Sequence, residues 1–250
     1  MVLQTIGTGS SGNCYLLRAG GSEPQTLILD AGLPKAKIMR EAKEWRTVVG
    51  CLITHEHQDH AKSAEGMSAL GIPTYATQGT IHAIAGDRET ALIPVKSLEA
   101  IAIKGFTVMP FETRHDCAEP CGFLIRYNAT NETAVYLTDT FYLPYTFPGV
   151  DYWIAECNYV DSRLAQQVKT GEISEKLASR LLKSHMSLAR LEDALNANEL
   201  ESVAAIVLIH MSDERSDEEE MVRRVKTIAP FADVYAAKAG ESYVLSKTPF

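Results

Sequence analysis

Val48-Val49-Gly50-Cys51-Leu52-Ile53-Thr54-His55-Glu56-His57-Gln58-Asp59-His60 decides how this chain is read. An apolar run of strand length ends directly in three imidazoles and a carboxylate, His55, His57, Asp59 and His60. Packing alone gives no reason to gather four such groups. Neutral imidazole and carboxylate are ordinary ligands for zinc and similar ions. In extended backbone, residues two apart point the same way, which would bring His55, His57 and Asp59 together. His60 needs the chain to turn, as it does where a strand gives way to a helix. With a few distant partners the cluster offers more ligands than one four-coordinate ion accepts, so the spacing points to two metals.

The same placement recurs along the chain. Apolar runs at 27–29, 48–53, 106–109, 123–127, 134–137, 152–155, 204–209 and 234–236 read as strands. Polar residues follow many of them directly: Asp30, His55, Asp139, Glu156 and His210, with His115 a few residues beyond the strand through Phe111. Helical patterns cover 34–46, 61–70, 162–183, 187–198 and 216–228, and the first twenty-five residues read as strand, glycine-rich turn, strand. If the strand ends share one edge, the polar residues gather there on rigid supports. No linker, repeat or low-complexity tract divides the chain, so one α/β domain over 1–250 is expected.

Bulk composition is that of an ordinary globular protein, with 46% hydrophobic and 22% charged residues. The formal net charge is −8 and there is no basic block, which argues against wrapping duplex nucleic acid. A nuclease whose positive charge is mostly metal remains open. No apolar run reaches membrane-span length, and the first residues lack a basic-then-apolar leader, so a cytoplasmic protein with no membrane partner is expected. The five cysteines, Cys14, Cys51, Cys117, Cys121 and Cys157, are odd in number and scattered, unlike a disulfide framework. Cys117 and Cys121 lie four apart just after His115, a placement open to a metal or redox pair, and the simpler reading of both is reduced thiols.

The motif His-x-His-x-Asp-His at 55–60, the later His115, Asp139 after a strand and His210 after a strand together resemble the metallo-β-lactamase superfamily. That resemblance implies a four-layer αββα sandwich with the metal site at the edge shared by two sheets. It also implies that His55, His57 and His115 hold one ion, that Asp59, His60 and His210 hold a second, and that Asp139 bridges them. Zinc leads as the metal, with manganese or iron as alternatives. Such ions lower the pKa of bound water toward neutrality, and Asp59 is placed to orient the resulting hydroxide. The zinc β-lactamases tend to carry cysteine where this chain has Asp139. The aspartate is similar to the phosphodiesterase and glyoxalase II branches.

Ser184-His185-Met186-Ser187 precedes an amphipathic stretch with Leu188, Leu191 and Leu195 on one face, and Ser187 suits an N-cap. His185 resembles the phosphate-contacting, proton-donating histidine of ribonuclease Z-like enzymes. His-Met-Ser recurs at 210–212, and strand context assigns His210, not His185, as the ligand. Closer still, Gly9 to Asn13, Asp30-Ala31-Gly32, Thr54 to His60, Asp116 to Cys121 and Glu156-Cys157-Asn158 are similar to the YycJ-like (WalJ) group of exonucleases. The chain departs from that pattern at Gln58 and Ser63. About seventy residues separate Asp139 from His210, too few for the large insertion of the longer ribonucleases.

The expected function is therefore a dinuclear phosphodiesterase acting on nucleic-acid ends, single-stranded DNA favoured. A metal-bound hydroxide would attack and His185 would serve as general acid. The alternative is a small-molecule hydrolase, either a cyclic phosphodiesterase or a thioesterase like glyoxalase II. Asp30 and Glu156 read equally well as supports of ligand histidines or as a turn cap and a solvated strand end. Lys62 and Arg114, near the motif histidines, read as phosphate contacts or, more simply, as exposed charges, His82 as helix surface, and Asp213 to Glu220 as a solvated helix start.

Overall fold

The structure, a computed structural model, describes residues 1–20 and 23–247. Gly21, Ser22 and Thr248 to Phe250, part of the expected 1–250 domain, lie outside the described residues. One mixed sheet is built from β1 (Val2–Gly7), β2 (Cys14–Ala19), β3 (Gln25–Leu29), β4 (Val48–Leu52), β5 (Thr74–Thr77) and β6 (Ile93–Val95). The other holds β7 (Ile101–Ile103), β8 (Phe106–Glu112), β9 (Cys121–Tyr127), β10 (Glu132–Leu137), β11 (Tyr152–Glu156), β12 (Ala205–Ile209) and β13 (Asp233–Ala236). The last strand, β14 (Ser242–Val244), returns to pair with β1, so the orders are β14-β1-β2-β3-β4-β5-β6 and β13-β12-β11-β10-β9-β8-β7. Strands β3 to β6 are parallel, as are β10 to β13.

Side-chain alternation along each strand creates the layers. In the first sheet Tyr15, Leu17, Leu27, Leu29 and Leu52 face the second sheet, while Leu16, Ile28, Cys51 and Ile53 face the opposite way. In the second, Tyr136, Ile154, Val207 and Ile209 face inward, and Val135, Leu137, Trp153, Ile206 and Leu208 face outward. Central parallel strands buried on both faces read as continuous apolar runs, which is why they stand out in the sequence. Helices α1 (Lys35–Ala42), α2 (Gln58–Ala61), α3 (Ala64–Ser68) and α4 (Gln78–Ala85) lend Ile38, Ala61, Met67 and Ile81 to the first outer core. Of the remaining helices, α5 (Asp161–Thr170), α6 (Glu175–Leu181), α7 (Leu188–Asn196) and α8 (Glu218–Ile228), the last two cover the second sheet through Leu188, Leu191, Leu195, Met221 and Val225. The result is the four-layer αββα sandwich.

Several expected boundaries shift. The 34–46 helix ends at Ala42 and is followed by a 3-10 turn at Trp45–Thr47. The 61–70 helix begins earlier and is two short pieces. The 162–183 helix is two: Gly171, at φ 77°, ends α5 in the left-handed region, and the Ser174 hydroxyl caps α6 by accepting from Leu177 N. Strands β5, β6, β7 and β14 carry three or four residues each, too short to show a period.

The turn that carries Asp59 and His60 is clamped by backbone. Asn13 N donates to Asp59 O at 2.7 Å, Ala31 N to His60 O at 2.7 Å and Ser63 N to Ala31 O at 2.9 Å. Gly32 makes that approach possible, because a Cβ there would lie 1.7 Å from Asp59 O. Gly32→Ala is therefore expected to destabilise by roughly 1–3 kcal/mol, read as a lowered denaturation midpoint, and to reduce bound metal. Wild-type stability in that variant would contradict the clamp.

Candidate metal centre

Strand ends deliver the polar residues to one edge of the sandwich. Asp30 follows β3, His55 follows β4, Asp139 follows β10, Glu156 closes β11 and His210 follows β12. Three of them, Asp30, Asp139 and His210, adopt left-handed backbone at φ 57°, 47° and 53°. Such conformations are uncommon outside glycine and cluster where function constrains the chain. Here they turn each side chain out of the strand and toward its neighbours. His115 arrives on the loop after β8. That loop is held to α4 by Gly79 N donating to Glu119 Oε2 and by the Thr77 and Thr80 hydroxyls donating to Glu119 O.

His55, His57, His115 and Asp139 form one group of converging ligand atoms, and Asp59, His60 and His210 a second. His57 Nδ1 lies 3.2 Å from His55 Nε2 and 3.1 Å from His115 Nε2. Asp139 Oδ2 lies 3.5 Å from both of those Nε2 atoms and 3.4 Å from His60 Nε2. Ligands on a tetrahedral ion with bonds of ~2.0–2.1 Å sit about 3.3–3.4 Å from one another, so these separations fit a shared cation. Asp139 touches both groups, as a bridge must. Asp59 Oδ2 stands 3.6 Å from His60 Nε2 and 3.7 Å from His210 Nε2.

The hydrogen bonds behind the rings show which nitrogens face inward. His115 Nδ1 contacts Ser184 O at 2.7 Å, a pure acceptor, so Nδ1 carries the proton and Nε2 presents its lone pair. His60 Nδ1 contacts Asp30 Oδ2 at 2.8 Å. The Thr54 hydroxyl donates its one proton to Asp30, at 3.0 Å, and so accepts from His55 Nδ1, also at 3.0 Å. His210 Nδ1 contacts Glu156 Oε1 at 3.1 Å, and its Nε2 is buried with no hydrogen-bond partner among the described residues. The lone pairs of His55 Nε2 and His115 Nε2 thus converge on His57 Nδ1 at 3.2 and 3.1 Å; a proton there satisfies one of them at most, and a cation relieves all three. The residues fit a pair of divalent ions.

The family model described as "Beta-lactamase superfamily domain" matches residues 26–211. The chain belongs to the β-lactamase superfamily. Exodeoxyribonuclease YycJ of Bacillus anthracis is 30% identical over 157 residues, covering 58% of this chain and 56% of that protein. The chain thus spans little more than half of that curated relative. The metallo-β-lactamase fold protein YhfI of Bacillus subtilis superposes with TM-score 0.69 at 15% identity, covering 97% of this chain and 99% of that one. A diphosphatase of the PhnP family superposes with TM-score 0.65 at 16% identity, covering 97% and 96%. At those identities the structural likeness establishes the fold alone.

Within this superfamily frame, Asp59 differs from the extended-backbone expectation. Strand β4 ends at Leu52 and α2 begins at Gln58. That helical turn aims Asp59 at His60 and His210, in the second group, while the His60 ring stays packed against His55 with centroids 4.3 Å apart. Asp30 and Glu156, balanced between two roles in the sequence, are both fully buried, and each contacts an imidazole of the second group, Asp30 that of His60 and Glu156 that of His210. Glu156 also joins Asp139, His185 and His210 in a third convergent group. Lys62, His82 and Arg114 are exposed, as expected. All five cysteines are free thiols, and none belongs to the metal-competent groups among the described residues.

Buried carboxylates set the electrostatics. Burial opposes ionisation of Asp139, but His210 and His60 hold it well below the usual carboxylate range. Burial likewise opposes charge on His60, yet Asp139 and Asp30 push it up to about 10. His210 is raised well above an ordinary histidine, again against burial, by Asp139, Asp59 and Glu156. Burial dominates at His55 and His115 and lowers both. Protons and cations are therefore rival ways to neutralise the same carboxylates. Metal binding is expected to release protons, so zinc affinity should fall as pH drops; calorimetry in buffers of different ionisation enthalpy measures this. Elemental analysis should find about two ions per chain, with a clear loss in His57→Ala.

Proposed function

We propose that residues 1–250 form one cytoplasmic hydrolase domain that cleaves phosphodiester bonds at nucleic-acid ends, single-stranded DNA favoured. Zinc leads as the metal, with manganese or iron as alternatives; His55, His57 and His115 hold one ion, Asp59, His60 and His210 the other, and Asp139 both. Bound there, the pair would supply a water of near-neutral pKa and polarise a substrate oxygen.

The observation that carries the phosphodiester reading is the pairing of His185 with Glu156. His185 Nδ1 lies 2.7 Å from Glu156 Oε1 and the side chain is 18% exposed. Its ring lines a cavity shared with Asp59 and His210. Burial disfavours a charged ring, but Glu156 and Asp139 raise its pKa above the ordinary histidine value. The imidazole therefore keeps its proton to higher pH than a free histidine. With Nδ1 engaged by Glu156, Nε2 holds a proton for a departing alkoxide. A phosphodiester has such a poor leaving group, whereas a thioester releases a stable thiolate and needs no acid. Asp59, 30% exposed at the same cavity, is the carboxylate that orients the attacking water as well as ligating.

The similarity to an exodeoxyribonuclease supports DNA. The net charge of −8 favours contact confined to a chain end near the cations over a long phosphate track. No helix among the described residues is long and apolar enough to cross a membrane.

Turnover of single-stranded oligonucleotides, bis(p-nitrophenyl) phosphate and S-lactoylglutathione tests the reading. Hydrolysis of the thioester alone overturns it. Asp59→Ala is expected to abolish hydrolysis. His185→Ala should cut oligonucleotide cleavage roughly 10²–10⁴-fold and the p-nitrophenyl ester far less, because p-nitrophenolate leaves without protonation. Equal losses on both substrates would remove His185 as the general acid.

A further inference from the structure

The cavity beside the metal centre has a second, chemically distinct wall. Its volume is about 340 Å³, and Asp59, His185 and His210 line one side. Ser212 and Arg215 line the cavity too, and Arg215 is the one Arg or Lys among the described residues that line it. A cavity at the small end of the usual ligand range, ~300–1,000 Å³, matches one nucleotide-sized group.

Arg215 is fixed in place. Its carbonyl accepts from Val160 N at 3.0 Å, just ahead of α5. Nη1 donates to Ser212 Oγ and Nη2 to Glu214 Oε2, both at 3.0 Å. The Arg215 side chain is 16% exposed, whereas Glu214 is 71% exposed, so the Glu214 pairing is solvent-screened and weak. Nε is buried with no hydrogen-bond partner among the described residues. A guanidinium has five donors in a planar fork matched to phosphate oxygens. Here the fork is held beside a hydroxyl with one buried N–H unmatched.

We propose that Arg215 forms a second phosphate subsite, separate from the cations, that receives a terminal phosphate of the chain being cut. The enzyme then selects ends that carry a phosphate over ends that do not. This rests on the phosphodiesterase reading above. The exposed Asp213 and Glu214 at the same wall sharpen the selection. They repel a continuous phosphate backbone, while a single phosphate reaching Arg215 is matched.

The metal-loaded full chain is assayed on thymidine dinucleotides bearing a 5′-phosphate, a 3′-phosphate or neither, with bis(p-nitrophenyl) phosphate alongside. The expected result is a kcat/KM preference of about 10–100-fold for one phosphorylated end, the scale of a charge-assisted hydrogen bond. Arg215→Gln should collapse that preference toward unity through KM, and Arg215→Lys should keep part of it. Equal cleavage of all three dinucleotides by the wild type overturns the proposal, as does an undiminished preference in folded Arg215→Gln. Cleavage of bis(p-nitrophenyl) phosphate without any end preference defeats the subsite alone. Failure on every phosphodiester defeats the subsite and the phosphodiesterase reading together.

Discussion

The Asp30 carboxylate is the contact on which the rest of the edge depends. It is fully buried and accepts from Thr54 N at 2.8 Å, Thr54 Oγ1 at 3.0 Å, His60 Nδ1 at 2.8 Å and Tyr136 Oη at 2.6 Å. A buried carboxylate is tolerated only when its lone pairs are used in this way. Three of those donors sit on the β4-to-α2 stretch and the fourth on β10 of the other sheet, so one group ties the two sheets together across their apolar interface. It also fixes His60 directly and His55 through the Thr54 hydroxyl. Removing it would leave donors from both sheets unmatched in a dry interior, which costs more than any single bond.

Glu156 performs the matching task on the other side. Its Oε2 accepts from Thr140 N and Met186 N, both at 3.1 Å, and its Oε1 receives His185 Nδ1 at 2.7 Å and His210 Nδ1 at 3.1 Å. The strand ends and the α6–α7 connection are therefore registered against one carboxylate, and His185 is registered with His210. Left-handed backbone at Asp30, Asp139 and His210 is held in place by these bonds and in turn aims the groups that make them. The site is rigid because its supports are strand ends and its orienting acids are saturated.

Legibility followed burial and length. Strands β3, β4, β10, β11 and β12 are covered on both faces, so their apolar runs and the polar residues after them stood out. Strand β6 contains Pro94 and three residues in all, and no period can emerge from that. The 162–183 stretch reads as one helix because only Gly171 interrupts it, and glycine inside a helical pattern does not by itself fix a break. Asp59 was assigned a ligand role by its motif, but its direction depends on where α2 starts, a boundary that local pattern leaves loose. Asp30 and Glu156 carried no sequence signal that separates a supporting carboxylate from a turn cap. Their roles depend on partners as distant as Tyr136 and His210. Arg215 sits inside an acidic run, where composition points toward solvent, and only the cavity wall reveals it.

The two kinds of support divide the chemistry. The candidate ligands His55, Asp139 and His210 and the supporting carboxylates Asp30 and Glu156 come from strand ends in both sheets, which the shared core holds at fixed register, while Asp59 and His60 lie on α2 and His115 on the loop after β8. The other polar groups at the cavity, His185 between α6 and α7 and Ser212 to Arg215 ahead of α8, come from connections laid over that edge. Loops tolerate change that strand ends do not. A chain of this fold can therefore keep one hydrolytic centre while its substrate is set by the short segments above it. Here those segments place the His185 imidazole and one guanidinium in a cavity that Asp59, His210, Asp213 and Glu214 also line. That pairing matches an anionic, poorly departing leaving group better than it matches a neutral lactam or thioester.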